Sequence, residues 1–479
     1  MAGDTNIDFH HPAYHEFSDE WRLVGDCVDG ERAVKRKGHR RMVYLPHPSS
    51  DWEKTDPQLT RYEGYIARAP FVNATGRTLQ GLLGIAFAKP VKVELSSELD
   101  YLERDVDGQG LSLTQLMRDA LSQNLQKGRA GILTDYTGVY SNNPGYAGGV
   151  RARMKLYKAG QIINWRVTDG KTSLVVLVEV EAVDLPDEFR LVLRRKWTEL
   201  RLINGLAYFR IWREGEDNGI TAIELTPLID RSGAQLDELP WAWIGANNND
   251  HTPDAPPLSD IAWLNVKHYQ AEADIAEIAH QTGNPTVTAT GLTEAWADKY
   301  LASGIRTGSG AGVLLPVGGK LEIVQAEDRN LPVVVAERRE SQMAMLGAKL
   351  VERGTSARTA TQAADEAQTD NSILSLCAGN VEDAINRALT FVEAFTGGVG
   401  VVTINKRYEV AQLDSQAITA LLGAVQTGKL LLVDFIRYMQ SIGIVDPTAD
   451  PEEIETTLRA QTDLNGSLND GNEETGDDQ

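Results

Sequence analysis

Residues 258–281, LSDIAWLNVKHYQAEADIAEIAHQ, form the helical pattern around which the rest of the chain is organised. A Pro-Pro pair at 256–257 precedes the pattern and Gly-Asn-Pro at 283–285 follows it, so helix-breaking residues stand at both ends. Ser259 or Asp260 can accept hydrogen bonds from the first turn. The helix would be roughly 36 Å long. A helix of that length needs another element to pack against.

Two further helical patterns follow, separated by a β-rich insert and a polar loop. Residues 284–329 fit a strand, a short helix and a β-hairpin. Because such a unit is too small to enclose its own core, we expect it to pack against copies of itself in other subunits. The second helix is predicted at 330–353. The loop at 354–362 has no apolar anchor, and the third helix, at 363–398, repeats apolar residues at helical spacing.

The remaining residues predict a mixed domain before these helices and a helical segment after them. Residues 1–257 begin with helical patterns and change to short β-branched and aromatic runs, which predicts one α/β domain. Strands are predicted at 399–411 and helices at 413–461. The last residues, 462–479, contain no Lys, Arg or aromatic residue and are predicted to be a disordered acidic tail. The predicted fold class is therefore α+β.

Composition limits the classes of function. The 479 residues suffice for about three domains. The chain lacks the roughly 18 to 20 uninterrupted apolar residues of a membrane-spanning helix and shows no signal-peptide pattern, so we expect a cytosol-like compartment and no membrane partner. Cys27 and Cys377 are expected to be free, buried thiols. The net charge of −21 disfavours a tight grip on nucleic acid, although an acidic channel wall would let DNA slide without sticking.

No motif in the sequence indicates catalysis. Residues 423–430, GAVQTGKL, have the spacing of a phosphate loop but end in Leu where Ser or Thr must meet magnesium. The run that starts at Asp105 resembles a calcium loop, yet its twelfth position is Leu. The histidines between residues 10 and 15 have no further ligands at metal-binding spacing. The basic cluster at 35–41 could contact phosphates, although a solvated basic face is commoner. We therefore expect no catalytic residue, no metal and no cofactor.

Several short motifs resemble one family of viral proteins. They are HPAY (11–14), YLP (44–46), ARAPFVNATGRTLQGLLG (67–84), KGRAGILTDY (127–136) and IINWRV (162–167). Together with the order of an α/β domain, long helix, β-rich insert, helix, polar loop and long helix, they resemble a large family of bacteriophage portal-like proteins described by a domain of formerly unknown function. The resemblance extends to about residue 460.

The resemblance implies a portal fold with an α/β wing, a two-helix stem, a small β-rich clip, a long tunnel helix and an α-helical crown, assembled as a ring. The implied parts are the wing (1–257, with return strands 399–411), stem helix 1 (258–283), the clip (284–329), stem helix 2 (330–353), the tunnel loop (354–362), the long helix behind that loop (363–398), the crown (413–461) and the acidic tail (462–479). Portal proteins form rings, usually dodecameric, at one vertex of the capsid. The implied function is a head-to-tail connector and channel for DNA packaging and ejection.

The resemblance also implies partners and a location. The partners would be further copies of this chain, double-stranded DNA passing without sequence specificity, the large subunit of the terminase, a head-completion or tail adaptor protein, the major capsid protein and, where one exists, a scaffold protein. The location would be the portal vertex of the virion, after assembly in the host cytoplasm. The alternatives are another head–tail connector or adaptor ring and a nucleotide-dependent packaging enzyme, against which the defective phosphate loop counts.

Three groups of residues are candidates for these roles. The tunnel-loop residues expected to face DNA are Arg353, Thr355, Ser356, Arg358 and Thr359. The residues expected to pack neighbouring stem helices, chosen for their small or apolar side chains, are Leu258, Ala262, Tyr269, Ala273 and Ala276. The clip residues expected to face the terminase or adaptor are Thr293, Trp296, Lys299, Arg306 and Lys320.

The two arginines that bracket the polar loop lead to a first prediction. Arg358→Glu should impair genome packaging or retention and leave ring assembly intact, because it places a negative charge where phosphates would pass. The length of the packaged genome in the variant measures the effect. A normal length would show that Arg358 does not face the DNA.

Overall fold

The computed structural model describes residues 6–38, 42–136, 151–184, 191–215, 219–283, 286–300, 315–324, 330–351, 372–406, 423, 425, 427, 431–441 and 450–457. The chain divides into two compact units, residues 1–406 and 407–479. The first unit combines helices with antiparallel sheets, which confirms the α+β prediction.

The helices of the first unit begin and end at residues suited to those positions. Ser112 accepts a hydrogen bond from Gln115 N at 3.2 Å where one helix starts, and Gly128, at φ +62°, ends it. The helices are α1 (Pro12–Asp29), α2 (Glu31–Gly38), α3 (Trp52–Thr55), α4 (Thr60–Arg68), α5 (Ala74–Ala86), α6 (Leu113–Lys127), α7 (Ser259–Gly283), α8 (Glu294–Tyr300), α9 (Leu331–Lys349) and α10 (Ile373–Thr396). Among the described residues, no helix is both long and apolar enough to cross a membrane.

The strands form four antiparallel sheets. They are β1 (Lys92–Leu95), β2 (Arg129–Tyr136), β3 (Ala152–Lys158), β4 (Ile162–Thr168), β5 (Lys171–Asp184), β6 (Leu191–Ile203), β7 (Leu206–Glu214), β8 (Ile220–Ala222), β9 (Thr226–Pro227), β10 (Trp241–Gly245), β11 (Thr286–Thr290), β12 (Lys320–Val324) and β13 (Gly400–Thr403). The larger sheets have the orders β10-β2-β3 and β4-β5-β6-β7-β8, with β9 paired to β7. The smaller ones pair β1 with β13 and β11 with β12.

α10 lies in the core of the first unit, and two asparagines fix its position. Most of its apolar residues between Leu374 and Phe395 are buried, with Leu376 an exposed exception. The carbonyl of Gly245, at the end of β10, accepts from Asn124 Nδ2 on α6 at 3.0 Å and from Asn380 Nδ2 on α10 at 2.8 Å. The two asparagines therefore share one buried backbone carbonyl as their acceptor. These two hydrogen bonds join α6 and α10 to the end of β10.

The chain after α10 returns to the first 257 residues. β13 pairs with β1, with Lys92 opposite Thr403 and Leu95 opposite Gly400. Gly397 ends α10 in the left-handed conformation, at φ +85°, and its amide donates to Glu393 O at 2.7 Å. This turn lets the chain reverse and add a strand to the wing. The part of the predicted return strands at 407–411 lies outside the described residues.

Three of the sequence motifs meet in one stack of side chains. The Arg129 guanidinium carbon lies 4.2 Å from the ring centroids of both Trp165 and Trp243. His11 stacks on the other face of Trp165, with centroids 4.0 Å apart. His11 also accepts a hydrogen bond from Ala13 N at the start of α1. The stack therefore joins α1, β2, β4 and β10, and it explains why the HPAY, KGRAGILTDY and IINWRV motifs occur together.

Arg129 is a buried cation held mainly by aromatic faces. It is 1% exposed, and its Nη1 donates to His251 O at 3.0 Å. Burial lowers the pKa of the guanidinium to about 9, while Asp250 and Asp254 oppose the shift. Two rings at this distance offset part of the cost of burying the charge.

The two cysteines are free and buried, as predicted. Burial is the main cause that raises the pKa of each thiol to about 12. Both sulfurs lie close to backbone carbonyls, Cys27 at 3.7 Å from Ala262 O and Cys377 at 3.8 Å from Ala246 O. Each cysteine therefore acts as a small core residue.

The second unit is described only in part. It contains a helix α11 (Leu432–Ser441) and a helical segment at 451–457. In the phosphate-loop-like run, Gly423 and Val425 are helical, and Thr427 Oγ1 donates to Gly423 O at 2.9 Å. That hydrogen bond belongs to a helical turn. The remaining residues of the predicted crown, and the whole predicted tail at 462–479, lie outside the described residues.

The stack around Arg129 can be tested by unfolding. We predict that Arg129→Ala lowers the free energy of unfolding by about 3 kcal/mol, because it leaves a cavity between two tryptophan rings and removes the cation–π contacts. Arg129→Met should lower the free energy of unfolding by about half as much, since an unbranched apolar side chain fills the space between the two rings without a buried charge. Denaturant unfolding of both variants measures the losses. A loss below about 0.5 kcal/mol for Arg129→Ala would contradict the role given to the stack.

Candidate functional site

α7 and α9 form an antiparallel helical hairpin. The chain leaves the wing along α7, forms the small unit β11-α8-β12, and returns along α9. Thr286 pairs with Val324 where α7 ends and α9 is about to begin. At the other end, Leu374 N donates to Leu350 O at 3.2 Å, which ties the end of α9 to the start of α10. The hairpin therefore has a root at the wing and a β-rich unit at its tip.

The root is built into the wing by Asn265. This residue of α7 is fully buried, and its Oδ1 accepts from both Thr75 N at 3.1 Å and Thr75 Oγ1 at 2.9 Å. Its Nδ2 donates to Val72 O at 2.8 Å. The partners belong to the ARAPFVNATGRTLQGLLG motif, at the start of α5. Asn73 caps the same helix by accepting from Gly76 N at 2.8 Å. The motif therefore forms the socket for α7.

Farther along α7, polar contacts hold the helix to α4, and apolar side chains no longer bury it. Tyr65 Oη donates to Asp274 Oδ1 at 2.9 Å, and Arg68 Nη2 lies 2.6 Å from Glu277 Oε2. Burial alone would raise the pKa of Glu277, but hydrogen bonds from Arg68 and Gln281 lower it. Glu277 is therefore held as a carboxylate at neutral pH. These contacts fix the direction in which the hairpin leaves the wing.

α9 is held against α7 at the middle of the hairpin. His268 is fully buried, and its Nε2 lies 3.2 Å from Glu340 Oε1 on α9 and 3.7 Å from Glu272 Oε1 on α7. Arg339 Nη1 donates to the carbonyl of Lys267. Near the root, Gly347 lies close to Thr78, whose methyl carbon would be 3.5 Å from an added Cβ. Both helices therefore pack against each other and against α5.

The structure places most of the predicted stem-packing residues inside the single chain. Leu258, Ala262, Tyr269 and Ala273 are each at most 1% exposed within the single chain, and Ala276 is half-buried. The ring of Phe71 packs edge-on against Tyr269, with centroids 5.6 Å apart. These small and apolar positions are covered by the chain's own wing. They do not form a surface that a neighbouring subunit could contact.

The exposed apolar surface of the hairpin lies elsewhere. The exposed fractions are 54% for Trp263 on α7 and 73%, 56% and 52% for Leu331, Val334 and Met345 on α9. The three α9 residues follow helical spacing along its outward side. This surface was not predicted from the sequence. The helical spacing of these apolar residues is visible in the sequence. That spacing does not show which side of α9 faces α7 and which side faces outward.

The clip candidates occupy different environments. Thr293 is exposed and its carbonyl accepts from Trp296 N and Ala297 N at the start of α8. Trp296 is buried at 9% exposure, so it supports the small unit and does not present a surface to a partner. Lys299 and Lys320 are exposed, and Lys320 pairs with Thr290 in the hairpin of β11 and β12. Arg306 lies outside the described residues.

The tunnel-loop candidates Arg353, Thr355, Ser356, Arg358 and Thr359 all lie outside the described residues, as do the first residues of the predicted long helix. The described chain stops at residue 351 and resumes at 372. Ser372 caps α10 by accepting a hydrogen bond from Ser375 N at 3.2 Å. The backbone carbonyl of Leu350 accepts a hydrogen bond from Leu374 N. Both ends of this segment are therefore fixed at one place, the root of the hairpin.

Among the described residues, no group of three or more His, Cys, Asp or Glu side chains could hold a metal ion. The buried polar residues of the hairpin each have a structural partner: Asn265 with the α5 socket, His268 with Glu340. What the arrangement offers is an exposed helical side, a β-rich tip and a root at which the end of α9 is hydrogen-bonded to the start of α10.

Comparisons with known proteins give one family match and several structural likenesses. A family model described as a domain of unknown function (DUF4055) matches residues 257–396. No curated protein matches the chain. The family match runs from just before α7 to the end of α10 and so covers the whole hairpin.

The chain is similar to three chains from gene transfer agent (GTA) particles. One is from the virion of a native particle, with 14% identity, 76% of this chain and 88% of that chain covered, and a TM-score of 0.34. One is from the neck of an empty particle computed with C6 symmetry, with 12% identity, coverages of 78% and 92%, and a TM-score of 0.37. One is from the neck of a native particle computed with C12 symmetry, with 14% identity, coverages of 80% and 94%, and a TM-score of 0.35.

The socket of α7 gives a further prediction. Asn265→Ala should lower the free energy of unfolding by about 3 kcal/mol, because it leaves the buried amide and hydroxyl of Thr75 without their partner and removes one of the two hydrogen bonds to the carbonyl of Val72. Lys267→Ala, an exposed change two residues away, should change it by less than about 0.5 kcal/mol. Denaturant unfolding compares the two. Equal losses would show that Asn265 does not hold the hairpin to the wing.

Proposed function

We propose that the chain is a structural protein of a phage-like head–tail assembly and, within that class, the portal protein. It would form a dodecameric ring at one vertex of the capsid, through which double-stranded DNA is packaged and later ejected, without catalysing a reaction itself. The observation that carries the proposal is the helical hairpin of α7 and α9, rooted in an α/β wing, with a small β-rich unit at its tip and an anchored segment at its root. This is the arrangement that the sequence resemblance implies.

The exposed apolar side of the hairpin supports a ring. Trp263, Leu331, Val334 and Met345 leave large apolar side chains in water within a single chain, and large exposed apolar side chains gathered on one hairpin suit a protein interface. A head-to-tail contact between one hairpin and the next closes into a ring when the rotation per subunit divides a full turn. Each hairpin would then be covered on both sides, and α9 would contribute most of the apolar contact.

The proposed channel involves the segment between α9 and α10. The segment at 352–371 starts and ends at the root of the hairpin, so in a ring its copies would lie at one level around the axis. Arg353 and Arg358 would approach the phosphates there, while the net charge of −21 disfavours strong binding of DNA elsewhere. DNA would therefore pass without sequence-specific contacts.

The tip of the hairpin is the proposed docking site for other components. Lys299 and Lys320 are exposed on the small unit, and the terminase large subunit during packaging and an adaptor protein afterwards would bind at that end. The wing would meet the major capsid protein and, where one exists, a scaffold protein. The location would be the portal vertex of the virion, after assembly in the host cytoplasm.

The proposal predicts a specific effect on assembly. Val334→Glu should weaken the contact between subunits at least about tenfold, because a carboxylate would be buried in an apolar interface without a partner. Val180→Glu makes the same change at a side chain on β5 that is 65% exposed, compared with 56% for Val334. Light scattering of purified wild type and both variants measures the mass of the assembly.

We expect Val334→Glu to shift the ring to smaller species and Val180→Glu to leave it unchanged. Circular dichroism of both variants checks that the fold is kept. A wild-type protein that stays monomeric at micromolar concentration would contradict the ring. An assembly that tolerates Val334→Glu would contradict the role of the α9 surface.

A further inference from the structure

One face of the β4–β8 sheet carries an open groove of about 640 Å³ next to the N-terminal segment. Its walls combine arginine and aromatic side chains, including Arg166 on β4, Arg201 on β6 and both Arg210 and Trp212 on β7. Phe9, which is 46% exposed, borders the groove from the N-terminal segment. This combination is unusual in a chain with a net charge of −21.

The floor of the groove is a buried carboxylate that orients two of the arginines. Glu199 is 1% exposed, with Oε1 2.7 Å from Arg201 Nε and Oε2 3.2 Å from Arg210 Nε. Trp212 Nε1 donates to Oε2 at 2.9 Å. Since Glu199 contacts each guanidinium at its Nε, the terminal amino groups of both arginines are left for another acceptor. Within the described part of the chain, those amino groups have no hydrogen bond.

Arg166 adds a third cation at the same face. Its side chain is exposed and, among the described residues, makes no ion pair. Three guanidinium groups therefore surround one carboxylate, and the groove has an excess of positive charge. Guanidinium groups with free terminal amino groups bind carboxylates through two parallel hydrogen bonds.

The same face already binds an acidic residue from a turn of the N-terminal segment. Asp8, in the N-terminal segment, accepts from Trp197 Nε1 at 3.0 Å and pairs with Arg195 Nη1 at 2.8 Å. Trp197 lies opposite Trp212 in the pairing of β6 with β7. In two neighbouring places on this face, a carboxylate therefore accepts from a tryptophan N–H and pairs with arginine, Asp8 in the first and Glu199 in the second. The first place shows that this surface holds a carboxylate supplied by another segment.

We propose that this groove binds an extended acidic segment of a partner protein. Carboxylates of the segment bind the terminal amino groups of Arg166, Arg201 and Arg210, and its apolar side chains lie against Trp212 and Phe9. A polyphosphate is a poorer fit, because the buried Glu199 and the acidic balance of the whole chain repel a densely charged strand. The proposal does not depend on the ring, since every residue it uses belongs to one chain.

The test uses the purified full-length chain and a fluorescein-labelled peptide of ten residues in which Glu alternates with Leu. Fluorescence anisotropy measures the affinity of the chain for the peptide. The measurement is made at physiological salt, because nonspecific attraction between exposed charges is largely screened there. Arg166→Glu should weaken binding about tenfold or more, through loss of a charge-assisted contact and added repulsion. Arg201→Gln, which keeps the stem of the side chain, should weaken it several-fold.

Arg213→Glu is the matched control. Arg213 lies on β7, but its side chain is on the opposite face of the sheet, in the cleft that contains Lys196 and Ile211. This variant should bind the peptide like the wild type. Circular dichroism and thermal unfolding of all variants check that the sheet is kept.

Three results would overturn the proposal. The first is no saturable binding of the peptide by the wild-type chain. The second is equal weakening by Arg166→Glu and Arg213→Glu, which would mean attraction by net charge. The third is tighter binding of a labelled single-stranded oligonucleotide than of the peptide, with the same sensitivity to Arg166→Glu, which would make the groove a nucleic-acid site.

Discussion

The burial of the first half of α7 in the wing is the constraint on which the rest of the hairpin depends. Asn265 bonds to three groups at the start of α5, and α7 stays buried as far as Ala273. Beyond that point its contacts become polar and partly exposed, so the helix leaves the wing in a direction set by α4. α9 then follows α7 back to the root. The tip of the hairpin is thereby held on a base that is buried in the wing.

The wing is made rigid in turn by groups that serve as structural links. Arg129 joins strands and the first helix through aromatic faces, and the carbonyl of Gly245 joins α6 to α10. Since α10 begins where α9 ends, this core also fixes the root of the hairpin. The motifs that resemble the portal-like family are therefore the residues of this framework, and none of them is a reactive group.

Proline and glycine residues at the ends of helices were the most reliable guide to the fold. The Pro-Pro pair before α7, Gly128 after α6 and Gly397 after α10 mark element ends, because each acts through local backbone geometry. Partners across long sequence separations were not predictable. The small residues of α7 were expected to face another subunit, since periodicity shows which side is apolar but not what covers it. The stack of His11, Arg129 and Trp165 was missed because its members lie on separate elements, and an arginine in a strand is usually exposed.

We propose that copies of this hairpin surround a channel. Electron microscopy of the purified full-length chain, with a reconstruction that resolves helices, would show where the hairpins lie. We expect a closed ring in which the α7 and α9 hairpins stand side by side around a central opening wide enough for duplex DNA, with the β-rich tips together at one end. A monomer, or a closed assembly whose hairpins lie on its outer surface away from any opening, would contradict it.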